Sequence, residues 1–255
     1  MATVSMIYSE LDERIPRSLS ATWDNDGLLV CPNGKKEVKR VLLALDATSD
    51  VCDEGKDYDL IITHHPVIFK PLREVGDTSP IPSKILKLIQ NDPAVMSFHT
   101  RFDAACGGIN DILSKKLGLL DITPFGDESS PTLGRIGTIE KTSPTELAMM
   151  VKDVLGSPFV LYTDAKKPIS RVAVCGGDGG SFISPAIAAG ADALITGRGG
   201  YNSNIDARDA GLSIIEAGHY FTEAIFCEYF TEYFKENHKE ITVDISRIGC
   251  EIHAI

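Results

Sequence analysis

Three observations predict an α/β fold. Short apolar runs of strand length recur along the chain, amphipathic stretches at helical spacing lie between them, and the alternation continues to the last segment. VLLALDA (Val41–Ala47) is the first continuous apolar run and ends in Asp-Ala-Thr, as a strand buried on both faces would. DLIITHHP (Asp59–Pro66) is the second, stopped by Pro66, and AVMSFHT (Ala94–Thr100) is the third. Between the last two, IPSKILKLIQND places Ile81, Ile85, Leu88 and Ile89 at helical spacing, with Ser83 as the expected cap. GINDILSKKLGL (Gly108–Leu119) reads as a short amphipathic helix with a glycine near its end.

The stretch DITPFGDESSPTLGRIGTI (Asp121–Ile139) is rich in Pro, Gly and Ser, and its beginning is taken as a domain boundary. SPTELAMMVKDVLG predicts a helix opened by Ser143-Pro144, with Glu146 placed for a capping box. RVAVCGGDGG, ISPAIAAGADALITG and GLSIIEAGH continue the alternation, the glycines of the first reading as a tight strand-to-helix turn. HYFTEAIFCEYFTEYFKEN followed by EITVDISRIG predicts one helix leading to a last strand.

Composition narrows the function. The 255 residues suffice for one large domain or two small ones, and 43% hydrophobic with 24% charged residues is ordinary for a soluble globular chain. A net charge of −11 leaves no basic excess to displace counterions from nucleic acid, and KKEVKR (Lys35–Arg40) is the one dense basic run. No apolar run approaches the roughly 20 residues a bilayer span needs. MATVSMIYSELDER lacks a basic start followed by an apolar stretch, so a cytoplasmic location with reduced, widely spaced cysteines is expected. The GxGxxG and GxxxxGK[ST] spacings are absent from CGGDGG, and no Gly-x-Ser-x-Gly elbow occurs, which disfavours a nucleotide loop and a serine hydrolase.

Three constellations carry candidate chemistry. His64-His65 stands where a buried strand ends. Adjacent strand residues diverge, so the pair forms a fork that suits two neighbouring ions, against the alternative of one buried and one exposed imidazole. FHTRFDAACGG (Phe98–Gly108) places Asp103 just beyond a strand end, as a ligand or acid–base group, or else as a cap of the following turn. His219 and Glu223 are four apart at the opening of a strongly apolar helix, a compact metal-binding pair or a solvated polar stripe. Together these give five ligands, His64, His65, Asp103, His219 and Glu223, enough for two divalent ions. Asp46 either supports a ligand from behind or caps a helix. His238 and His253, without acidic neighbours at ligand spacing, read as surface or strand residues.

With these residues placed, the sequence resembles the Nif-three-like family of dinuclear-metal proteins, some of which are called GTP cyclohydrolase I type 2 homologues. The matching segments run nearly end to end: WDNDGLLV at Trp23, LLALDAT at Asp46, THHPVIF at His64-His65, FHTRFDAACGGIND at Asp103, RIG at Gly137, VAVCGGDGG, AGADALITG, and AGHYFTE at His219 and Glu223. The resemblance implies the same five ligands for two metal ions. It also implies two interlinked α/β domains, with the metal site in the cleft at strand C-terminal ends. Residues 1–122 plus 215–255 would form the metal-binding domain and 123–214 the second. A homohexamer assembled as a toroid from dimers and trimers is implied as well. Arg101, Arg198 and Asn202 depart from the family pattern, and none is an implied ligand.

The expected activity is hydrolysis of a nucleotide, GTP being the family's case, with attack at C8 of guanine, ring opening and formate release. Two ions (Zn, Fe or Mn by donor type) would make a water acidic near neutral pH, and His99 is the expected proton shuttle. Two alternatives accompany this reading. One is a non-catalytic metal-binding or regulatory assembly. The other is a two-metal phosphoesterase, for which Arg101 and Arg198 would contact phosphate.

Overall fold

The computed structural model describes residues 2–253, and these divide into two compact units. The first unit runs to Phe102 and takes up again over Phe226–Glu251. It opens with α1 (Val4–Arg14), whose cap Thr3 accepts from the Met6 N–H and which turns Val4, Ile7 and Leu11 inward. Then follow β1 (Gly27–Val30), β2 (Arg40–Ala44), α2 (Ser49–Glu54), β3 (Leu60–Thr63), α3 (Pro80–Asn91), β4 (Ala94–Ser97) and α4 (Thr100–Ala104), within which the first unit gives way to the second.

The second unit contains α5 (Ile109–Lys116), β5 (Leu120–Phe125), β6 (Gly134–Thr142), α6 (Pro144–Leu155), β7 (Leu161–Thr163), β8 (Ile169–Asp178), α7 (Ile183–Ala188), β9 (Ala193–Arg198), α8 (Tyr201–Asp209), β10 (Ser213–Glu216) and α9 (His219–Glu223). The chain then re-enters the first unit as α10 (Phe226–Asn237) and β11 (Thr242–Ile245).

Among the described residues the strands form a five-stranded sheet, β1-β4-β3-β2-β11, and a six-stranded sheet, β5-β6-β8-β9-β10-β7. In the first, β4, β3, β2 and β11 are parallel and β1 is antiparallel at the edge. The register Leu42↔Ile61↔Val95 stacks the three apolar runs read from the sequence, and all three side chains are buried with Ile85 and Leu88 of α3. In the second sheet β8, β9 and β10 are parallel, flanked by antiparallel β6, β5 and β7. Its core joins Ala173, Cys175, Leu194 and Ile214 to Phe182, Ile183 and Ala186. Among the described residues no helix is long and apolar enough to cross a membrane.

Four local expectations change. The helix α3 starts earlier than expected, at Pro80 after Ser79, and buries Pro82, Ile85 and Leu88, while Ile81 and Ile89 remain exposed. DITPF forms an edge strand, β5, where Pro124 needs no ladder partner on its outer side. Strand β8 runs through Gly176 and Gly177 to Asp178 with an irregular register after Cys175, so these two glycines belong to the strand, while Gly179 and Gly180 open the expected turn into α7. The final helix is two, α9 and α10, divided at Ala224-Ile225. On α10, Phe226, Phe230 and Phe234 recur every four residues on one buried face, each contributing about 1.5–3 kcal/mol of burial. Phe226 and Phe230 pack against Phe102, and Phe230 also meets Phe98, which seats the returning helix in the first unit. The capping box at α6 is present, Ser143 and Glu146 each bonding the other's backbone.

Candidate metal centre

The ends of three adjacent parallel strands in the first unit carry the candidate residues. His64 and His65 follow directly on β3, His99 lies two residues beyond β4, and Asp46 two residues beyond β2. This is the edge where open α/β sheets place their ligands, because neighbouring strands deliver their loops to one place. The imidazoles of His64, His65 and His99 lie 4.9–5.4 Å apart by ring centroids. One ring nitrogen from each falls within 4.8 Å of the others.

Each imidazole is oriented through Nδ1. His64 Nδ1 lies 2.8 Å from the Phe98 carbonyl oxygen, His65 Nδ1 2.8 Å from Asp46 Oδ1, and His99 Nδ1 2.9 Å from Asp24 Oδ1. A carbonyl and two carboxylates can only accept, so Nδ1 donates in each ring, and in the neutral tautomer this leaves Nε2 as the ligating nitrogen. A backbone carbonyl or carboxylate on the far ring nitrogen is the support that metal-ligating histidines use. The Asp46 alternative resolves the same way: Thr48 caps α2 through Val51 N–H, and Asp46 holds His65.

Asp24 was not singled out by the sequence reading. Burial works against its charge, yet a hydrogen bond and the charge of His99, with hydrogen bonds from Thr100, hold its carboxyl at about 2. The only signal available was its place in WDND, beside no other candidate.

In the second unit, His219 Nε2 and Glu223 Oε2 are 2.9 Å apart across one turn of α9, just beyond β10. Glu223 and Asp103 are buried, so the solvated-stripe alternative does not describe Glu223. The turn after Asp103 is closed by Asp111, whose Oδ2 accepts from Gly107 N–H at 2.6 Å and whose other oxygen receives Arg135 Nε. Cys175 is pushed well above the ordinary thiol range, first by burial and then by the charges of Asp103, Glu223 and Asp178. Such a field attracts cations and keeps this thiol protonated and inert.

The Gly-rich run finds its use here. A Cβ on Gly177, where φ is +67°, would collide with Glu223 Oε1 and approach His219 Nε2 to 3.2 Å. Gly177 N–H donates to Thr222 Oγ1 at 3.0 Å, tying β8 to α9. The glycine therefore makes room for the Glu223 carboxylate. Gly177→Ala is expected to destabilise the chain by about 1–3 kcal/mol through the strained φ and the collision. Urea unfolding would read this as a lowered midpoint at unchanged slope.

One of the two arginines corrects the phosphate-contact expectation. Arg101 is fully buried, donating from Nε to Asp26 Oδ2 at 3.1 Å and from Nη1 to Asp12 Oδ1 at 2.6 Å and the Ile15 carbonyl at 3.0 Å. It cannot greet a substrate. Arg198 is 73% exposed and faces Asp178 at 3.2 Å. His238 is likewise no surface residue: it is buried beside Phe234 and bonds Glu10 at 2.8 Å.

The donors present fit a divalent metal. The imidazoles fixed at Nδ1 in the first unit, and separately the buried carboxylates with His219 in the second, are donor types that borderline ions take. The fold and these donors define an α/β protein of two sheets with a candidate metal-binding cluster at strand ends. Residues 2–252 match the family described as Duf34/NIF3 (NGG1p interacting factor 3), and the chain belongs to that family. A Streptococcus pneumoniae relative named GTP cyclohydrolase 1 type 2 homolog is 38% identical over 222 residues, 84% of this chain and 83% of its own. NIF3-like protein 1 of Drosophila melanogaster is 30% identical over 257 residues, covering 96% and 86%. Among solved structures, a Staphylococcus aureus hypothetical protein superposes with TM-score 0.89 at 26% identity over 99% of both chains. Reduced HcgD from Methanocaldococcus jannaschii superposes with TM-score 0.85 at 28% identity over 97% and 98%.

Proposed function

We propose that this chain is a metal-dependent hydrolase of a nucleotide, opening the guanine ring of GTP. In this reading His64, His65, Asp103, His219 and Glu223 hold two divalent ions of Zn, Fe or Mn type. The observation that carries it is the imidazole cluster at three strand ends, each ring fixed through Nδ1 and one ring nitrogen of each within 4.8 Å of the others. The relatives named as GTP cyclohydrolase 1 type 2 homologues support the choice of substrate. When bound, the ions supply positive charge that makes a water acidic and polarises the attacked ring.

The chain's own residues supply the rest. Asp24, ionised across the neutral range, accepts from His99 Nδ1–H and so fixes the ring, leaving Nε2 as the nitrogen that would exchange a proton. His99 takes a proton from the water that adds to C8 and returns it to N9 as the C8–N9 bond breaks. A second water then cleaves the remaining C8–N7 bond, and C8 leaves as formate. The closeness of His99 to His64 and His65 also favours a second role for it, as a further metal ligand.

Purified protein of fixed metal content, incubated with GTP while formate and phosphate are assayed, tests the reading. Formate release abolished by His65→Ala is expected. Phosphate without formate would shift the case to a phosphoesterase, and inert, metal-loaded protein to a binding or regulatory role. His99→Gln separates its two roles: lost turnover with metal retained marks proton transfer, and lost metal marks a ligand.

Self-assembly, with a hexamer as the expected state, belongs to the same proposal. It is supported by Leu120 of β5 and Leu161 and Tyr162 of β7, exposed apolar side chains on the two edge strands of the second sheet.

A further inference from the structure

Trp23 and Phe69 are large aromatic side chains left 57% and 42% exposed beside the imidazole cluster. Their ring centroids are 6.0 Å apart, and they lie 6.1 and 6.2 Å from His99, an almost equilateral triangle. The three planes cross at 67–81°, edge to face and not stacked, so the exposed part of each aromatic ring is not taken up by a parallel neighbour within the triangle. This exposure is built, not loose. Asn25 Nδ2 donates to the Ile68 carbonyl at 2.6 Å, joining the Trp23 turn to the residue before Phe69. Ala21 N–H donates to Thr100 Oγ1 at 2.9 Å, and Asp24 accepts from Thr100 N–H at 3.1 Å, so both flanks of Trp23 are anchored to the start of α4. Apolar rings pinned in water cost free energy unless something covers them, and open π-faces are what nucleobases stack on.

We propose that Trp23 and Phe69 form the platform on which the heteroaromatic ring of the substrate stacks, holding it against His99 and the imidazole cluster. This rests on the nucleotide-hydrolase reading and names the part of the substrate that the chain grips apart from any metal. A planar ring laid on the open face of Trp23 meets Phe69 edge-on, the two geometries aromatic pairs favour. A neutral base suits the place better than an organic cation, because ions bound at the neighbouring imidazoles would repel a cation.

Trp23 is the sole tryptophan, so fluorescence of the metal-loaded protein, excited at the red edge where the seven tyrosines do not absorb, reports on this platform alone. Guanosine and GTP are expected to change its emission saturably and to protect it from acrylamide, whereas ribose 5-phosphate and inorganic triphosphate are not. Phe69→Ala should weaken guanosine binding by about tenfold at unchanged metal content. By equilibrium dialysis Trp23→Phe should retain most of the binding that Trp23→Ala loses, since stacking needs a ring and not an indole N–H.

No saturable response to guanosine would overturn the platform, and so would a response to tetramethylammonium in its place, which marks a cation cage. Shielding of Trp23 from acrylamide that disappears on dilution would also overturn it, because the rings would then be a contact between copies. The two proposals fail separately. A guanosine response without formate from GTP leaves the platform standing and rejects the hydrolase. Formate release with KM unchanged in Phe69→Ala and Trp23→Ala rejects the platform alone.

Discussion

His65→Ala is expected to lower the metal content of the reconstituted protein from about two ions per chain to one or fewer while barely moving the unfolding temperature of the metal-free form. His65 is partly exposed, and Asp46, which holds its Nδ1, is half exposed, so truncation leaves that carboxylate in reach of water. His64→Ala should lose metal too but pay differently. His64 is fully buried against Phe226 and donates to the Phe98 carbonyl, so alanine leaves a hole and an acceptor without its donor, costing about 1–3 kcal/mol even without metal. Asp46→Ala keeps every ligand yet frees the His65 ring, and a roughly 10–100-fold loss of metal affinity is expected. Elemental analysis and calorimetric metal titration, run beside thermal melts of the stripped proteins, check all three. Full metal content in His65→Ala would sink the dinuclear reading.

The strands that carry these residues were legible because β2, β3 and β4 are buried on both faces, and continuous apolar runs have few other uses in a chain of this composition. The same logic is blind at edges. β5 is mostly exposed and contains Pro124, so it carries neither an apolar run nor clean alternation, and it is a strand only because β6 pairs with it. The break between α9 and α10 was hidden as well. Apolar periodicity runs through Ala224-Ile225 unbroken, with no Gly or Pro to punctuate it, and the break coincides with the passage from one unit to the other.

Site residues divide in the same manner. His64, His65 and His99 announce themselves as rare side chains at strand ends, whereas Asp24 and Gly177 act through partners far away in sequence. An aspartate 75 positions from the histidine it holds leaves no local spacing to read. Gly177 reads as part of a tight strand-to-helix turn because a glycine cluster after a strand commonly makes one, and only the carboxylate of Glu223 passing over it reveals the other use. Arg101 misled for a related reason. A lone arginine near a candidate site suggests phosphate, and nothing local shows that Asp12 and Asp26 enclose it.

That enclosure makes Arg101→Met the substitution with the largest expected cost to stability. Burial is the main influence on Asp26 and pushes its carboxyl above the usual range, opposed by the Arg101 charge and reinforced by that of Asp24. A carboxyl raised in the fold favours folding only when protonated, so at neutral pH the ionised Asp26 is a burden that Arg101 offsets. Removing the guanidinium leaves a buried charge without its countercharge and takes the donors from Asp12 and the Ile15 carbonyl, together about 3–5 kcal/mol. For a chain of this size the unfolding temperature should fall by roughly 10 °C. Acid should narrow the gap to the parent, because protonating Asp26 discharges the stranded group. Asp26→Asn combined with Arg101→Met should likewise recover much of the loss, a coupling that a double-mutant cycle reads directly. If Arg101→Met instead melts like the parent and raises KM only for phosphorylated substrates, the side chain reaches substrate and the buried network is wrong.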